Sequence, residues 1–145
     1  MRRTLAAAIL FMVCGTPGAR AEGDRIWSAL VLATKENPPG PIPGALEKFA
    51  PAIKRIFGYN TLYLLGEKKR ALIWGGEEWL VPSKEFFFKV QCLSQEVTFY
   101  TLGIELYRDK NLLLTTEAKL AKDAPLYIRG PAWGKGQLIF LLEVR

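Results

Sequence analysis

Apolar positions recur along this chain in short stretches, mostly with a period of two, separated by charged residues, glycine and proline. Ile26–Ala33 (IWSALVLA) is β-branched and apolar, and it reads as a first strand. The segment Asn37-Pro38-Pro39-Gly40-Pro41-Ile42-Pro43 follows. Its prolines fix φ and remove backbone donors, so it reads as an extended, semi-rigid connector. From Ala45 to Phe57 the period changes to that of a helix. Leu46, Phe49, Ala50, Ile53, Ile56 and Phe57 fall on one face, and Glu47, Lys48, Lys54 and Arg55 on the other. Gly58 is placed to end that helix in the left-handed conformation. Pro51 inside it removes a hydrogen bond, and so kinks or splits it.

Beyond Tyr59 the pattern is strand and turn. Tyr59–Leu65 and Arg70–Trp74 read as the two arms of a hairpin around Gly66-Glu67-Lys68-Lys69. Gly75-Gly76 turns again, and Trp79–Val81 is a short strand stopped by Pro82. In Glu85–Leu93, Phe86, Phe88, Val90 and Cys92 share a face, with Lys89 and Gln91 opposite. Thr98, Tyr100, Leu102, Ile104 and Leu106 share a face in the next strand, which ends at Arg108-Asp109-Lys110-Asn111. Leu112–Thr116 pairs back, and Leu126–Arg129 with Gln137–Val144 make a last pair. Leu138-Ile139-Phe140-Leu141-Leu142 lacks alternation, so this final strand is expected to be central and buried on both faces. The elements define a mainly β chain, all-β or α+β: an antiparallel β-sandwich or barrel-like sheet with one N-terminal amphipathic helix packed on it.

The beginning of the chain has a different character. Arg2 and Arg3 precede an uncharged run, Leu5–Gly15, then a Thr16-Pro17-Gly18 break and an Ala19-Arg20-Ala21 site. That is the layout of a cleaved export signal over 1–21, leaving one β-rich domain over 22–145. The run is shorter than the roughly twenty apolar residues a membrane span needs, and charges interrupt every later run, so the mature chain is not expected to be an integral membrane protein. Periplasmic or extracellular placement follows.

Export also corrects the charge and the cysteine count. Lys and Arg number 20 against 14 Asp and Glu, a formal +6, which falls to +3 once Arg2, Arg3 and Arg20 leave. So modest an excess is no footprint of a nucleic-acid partner. Cys14 leaves with the leader, so Cys92 has no disulfide partner. Lipidation at Cys14 would want a small residue immediately before it, and Val13 stands there.

The chain has no histidine. Ser-His-Asp and Cys-His nucleophile pairs and histidine metal sites are therefore impossible, and one mature cysteine is too few for a cysteine-rich zinc site. Glu77, Glu78, Glu96, Glu105 and Asp109 are loose acids, and solvated charge is their ordinary role. Gly130-Pro131-Ala132-Trp133-Gly134-Lys135-Gly136-Gln137 superficially suggests a phosphate loop. It fails on spacing, on Gly136 where Ser or Thr belongs, and on leading into an apolar strand. A glycine-rich hairpin presenting Trp133 and Lys135 to a partner fits better. Trp74 and Trp79 flank the Gly75–Glu78 turn and could form one aromatic patch, whereas Trp27 is placed in the core. Lys54, Arg55, Lys68, Lys69 and Arg70 form a local basic concentration, read as solvated charge. Cys92, on an apolar face, reads as a buried inert thiol.

The favoured functional reading is an exported, non-catalytic interaction module or assembly subunit of a bacterial cell envelope, needing no cofactor. Its tentative contact residues are Trp133, Lys135, Trp74 and Trp79, and its partner another envelope protein or a glycan. The alternative is a carbohydrate or small-ligand binder using exposed aromatic residues.

Overall fold

The computed structural model describes residues 23–145; the leader read over 1–21, with Cys14, lies outside them. The described residues form eight strands: β1 (Arg25–Thr34), β2 (Thr61–Ala71), β3 (Glu77–Leu80), β4 (Phe86–Gln95), β5 (Phe99–Arg108), β6 (Asn111–Ala121), β7 (Leu126–Trp133) and β8 (Gly136–Val144). They make two antiparallel four-stranded sheets, in the orders β2-β1-β8-β7 and β3-β4-β5-β6. The chain is therefore mainly β. The barrel-like alternative is corrected: among the described residues the sheets stay separate, with no strand pairing joining them into a closed barrel.

Alternation decides which faces meet. Ile26, Leu30, Leu138, Phe140 and Leu142 of the first sheet form one buried cluster with Leu80, Phe86, Phe88, Val90, Cys92, Leu102 and Ile104 of the second. The Phe140 ring meets Phe86 at 5.3 Å and Phe88 at 5.4 Å, both edge-on. Each such buried side chain is worth about 1.5–3 kcal/mol of apolar transfer.

The first sheet has a second core on its other face. Trp27, Ala29, Val31, Ile139 and Leu141 pack there against Leu46, Phe49 and Ile53. Trp27 and Phe49 stack with centroids 5.3 Å apart. This explains the unbroken apolar runs: β1 and β8 are central and covered on both sides, as the absence of alternation in β8 predicts.

The helix differs from its expectation in place and length. It is not N-terminal, since it follows β1, and α1 spans Ala50–Phe57 alone. Gly44–Leu46 forms a separate 3-10 turn. Pro51 falls in the first turn of α1, where its missing N–H costs nothing. Gly58 ends the helix at φ 80°, donating its N–H to the Lys54 carbonyl. Phe49, Ile53 and Phe57 lie four apart and face the sheet. Ile56, one step round, is 53% exposed and leaves the face assigned to it.

The hairpin read at Gly66-Glu67-Lys68-Lys69 is also corrected. β2 runs straight through these residues and pairs with β1 along its length, with a bulge opposite Leu30–Val31. β2 is an edge strand, so its second half carries exposed charge without leaving the sheet.

Candidate functional site

The even-numbered residues Phe86, Phe88, Val90 and Cys92 of β4 fill the core between the sheets. Phe87, Lys89 and Gln91 must therefore point the other way. β5 behaves alike, with Leu102, Ile104 and Leu106 inward and Gly103, Glu105 and Tyr107 outward. Register turns these outward residues into rows across the second sheet. One row is Trp79, Lys89, Glu105 and Thr115; the next is Glu77, Gln91, Gly103 and Glu117. Phe87 lies opposite Tyr107 beside them.

The aromatic members touch. Phe87 and Tyr107 stack with centroids 5.1 Å apart and planes 8° from parallel. Trp79 tilts over them at 5.6 and 6.1 Å while remaining 47% exposed. The Lys89 ammonium lies 5.7 Å from the Trp79 ring centre, 3.3 Å from Glu77 and 3.6 Å from Glu105. The hydrogen bond to Glu77, supported by the charge of Glu105, holds the Lys89 pKa above its ordinary value. The Tyr107 hydroxyl donates to Glu105 at 2.7 Å, which raises the Tyr107 pKa. Beyond Lys89 the surface dips into a trough of about 260 Å³ lined by Gln91, Leu93, Gly103, Glu105, Thr115 and Glu117. Gly103 opens the trough because it has no side chain to fill it.

The other residues singled out in the sequence sit elsewhere. Trp74, 67% exposed, borders a depression with Gln95, Glu96 and Val97, whereas Trp79 belongs to the Phe87–Tyr107 cluster. The two tryptophans thus line different surfaces. Trp133 ends β7 and is 42% exposed. Its ring lies 5.9 Å from the Arg108 guanidinium, on a cleft shared with Leu30, Leu65, Glu85, Phe86 and Leu138. Lys135 is exposed in the two-residue turn after it, where Gly134 adopts φ 59°. Trp27 is buried.

Cys92 is buried too, and burial pushes its thiol pKa up, opposed in part by a backbone hydrogen bond from Gly75. That is the reverse of an activated nucleophile. Among the described residues no three or more Cys, Asp or Glu are grouped to hold a metal ion, and no helix is long and apolar enough to cross a membrane.

Phe87, Tyr107, Gly103, Thr115 and Glu117 escaped the sequence reading, which places Lys89 and Gln91 on the outer face without a role. The signal for the first was present: in Phe86-Phe87-Phe88 one ring must face away from its neighbours. Recognising the rest needs the register. The arrangement suits non-covalent recognition, with ring faces beside hydrogen-bonding side chains. No family model, characterised protein or solved structure matches the chain.

Proposed function

We propose that this chain is an exported, non-catalytic interaction module of a bacterial cell envelope, which binds an extended segment of another protein by strand addition along β6. One contrast carries the reading: of the four sheet edges among the described residues, β6 is the long one that carries the fewest charges and keeps a regular eight-residue stretch. β2 bears Glu67, Lys68, Lys69 and Arg70; β7 contains Pro131 and a register shift; β3 is four residues long. Each is a usual way to block edge pairing. β6 runs for eleven residues with no proline and with Glu117 and Lys119 as its charges; its one irregularity, a bulge at Leu113, leaves Leu114–Ala121 in regular register. Leu112 and Leu113 are exposed along it. A free edge of this kind offers backbone donors and acceptors to an incoming strand, with alternate side chains supplying selectivity.

The test places a photo-crosslinking residue at Thr115, in the regular part of β6, and, as control, at Lys68 on the β2 edge. Irradiation in native envelope material should give an adduct from β6 whose partner peptide maps to one extended segment. Adding Leu113→Lys and Ala121→Lys to a chain carrying the label at Thr115 should abolish it, because charge defends an edge. No adduct, equal adducts from both edges, or adducts solely between copies of this chain would overturn the reading. Mass spectrometry of the native protein tests export separately, with Glu22 as the expected first residue.

A further inference from the structure

The two sheets are treated differently on their outer faces. The first is covered by α1 and the 3-10 turn. The second presents Trp79, Phe87 and Tyr107 with the trough beside them, and no described element packs over it. From this face we infer a binding site for a neutral carbohydrate chain, laid across β3 to β6 with one sugar ring on Trp79 and another ring of the same chain in the trough over Gly103.

The choice of ligand rests on charge and on the kind of groups present. A pyranose ring has a C–H face and a rim of hydroxyls. It needs an aromatic face and, close by, both hydrogen-bond donors and acceptors. Trp79 supplies the first. Lys89, Gln91, Glu105 and Thr115 supply the second, in register on adjacent strands. Four strands spaced about 4.8 Å apart make a platform of about 14 Å, longer than one ring. A polyanion is disfavoured, because one cation stands here among Glu77, Glu105 and Glu117. A basic peptide is disfavoured for the opposite reason. The protein's own Lys89 ammonium already occupies the seat between Trp79 and the two nearest carboxylates.

Gly103 supplies a second handle. Its φ lies outside the left-handed range, and an added Cβ would meet the Leu93 side chain at an ordinary 3.5 Å. A larger residue there fills the trough without forcing the backbone.

The site uses the outer face of the sheet, Thr115 and Glu117 of β6 included, whereas strand addition uses the backbone edge of β6; Trp79→Ala and Gly103→Val alter the face and leave that edge intact, so either proposal can fail alone. The test is calorimetric titration of the mature chain with cello-, malto- and chito-hexaose, with polygalacturonate and a lysine-rich peptide as charged controls. At least one neutral oligosaccharide should bind. Trp79→Ala and Gly103→Val should each weaken it about tenfold or more, as loss of a central contact does. Trp133→Ala should leave it unchanged, and Trp79→Phe should retain part of it. Circular dichroism verifies that each variant folds, and Gly103→Thr replaces Gly103→Val if that one does not. Absence of binding by all three neutral sugars, binding indifferent to both Trp79→Ala and Gly103→Val, or preference for either charged control would overturn the assignment.

Discussion

The carbonyl of Pro82 occupies the space in which a side chain at Gly66 would stand. Gly66 lies at the bulge of β2, and Pro82 in the link from β3 to β4, so the contact fixes the first sheet against the second. Any Cβ there overlaps backbone that cannot swing aside. Gly66→Ala should therefore destabilise the fold by about 1–3 kcal/mol, the range of overpacking. Gly44→Ala, with open space around its Cβ, should be neutral or stabilising by up to about 1 kcal/mol. Urea midpoints of the two variants check this; equal midpoints would show that β2 moves freely past Pro82.

The same glycine shows where the sequence misleads. Gly66-Glu67-Lys68-Lys69 has the composition of a turn, and composition cannot see that the glycine is required by a distant carbonyl while the charges belong to an exposed edge. Burial on two faces is easier to read: Leu138–Leu142 lacks polar alternation because α1 and the second sheet both cover it. The alternation of Phe86–Cys92 and of Tyr100–Leu106 was legible for the same reason. The Trp79 platform was not, since it is assembled by register between strands that the sequence places without aligning.

The shortening of the helix yields a contrast between neighbours. Ile53 is fully buried between α1 and the first sheet, and Ile56 is more than half exposed. Ile53→Ala should cost about 2–5 kcal/mol, and Ile56→Ala no more than about 0.5 kcal/mol, as for surface positions. Chemical denaturation of both measures the difference. Comparable losses would mean that Ile56, like Ile53, packs against the sheet.

Stability should fall in alkali. Burial raises the pKa of Cys92 and of Tyr127, the latter helped by the charge of Glu143. Hydrogen bonds to Glu36 and Glu105 raise Tyr63 and Tyr107; bonds to Glu77 and Asp24 raise Lys89 and Lys122. In every case the folded chain holds the proton more tightly than the unfolded one. The contribution is complete below the unfolded value and is lost as pH rises through the folded one. The unfolding free energy should thus stay level between roughly pH 6 and 8, where no histidine titrates, and fall from about pH 9 upward. Urea titrations at intervals across that range would reveal the profile, and a maximum above pH 10 would contradict it.

Glu143 sits on the central strand β8, wholly buried, in the layer between the first sheet and the 3-10 turn. Its Oε1 accepts from Lys48 Nζ at 2.8 Å and from Arg145 Nε at 2.7 Å, while Oε2 has no hydrogen-bond partner among the described residues. The Arg145 guanidinium also lies 4.0 Å from the centre of the Trp27 ring. The two sides of this pairing are unequal: Lys48 and Arg145 both reach solvent, and Glu143 does not. Glu143→Gln releases two cations that water can solvate, so it should cost about 1.5–3 kcal/mol, the worth of charged hydrogen bonds. Replacing Lys48 and Arg145 together by Met strands a carboxylate in the interior and should cost about 3–5 kcal/mol. Adding Glu143→Gln to that double variant should then restore stability, because the stranded charge is gone. Unfolding free energies of the three chains decide the matter, and simple addition of the separate losses would show that the carboxylate is solvated after all.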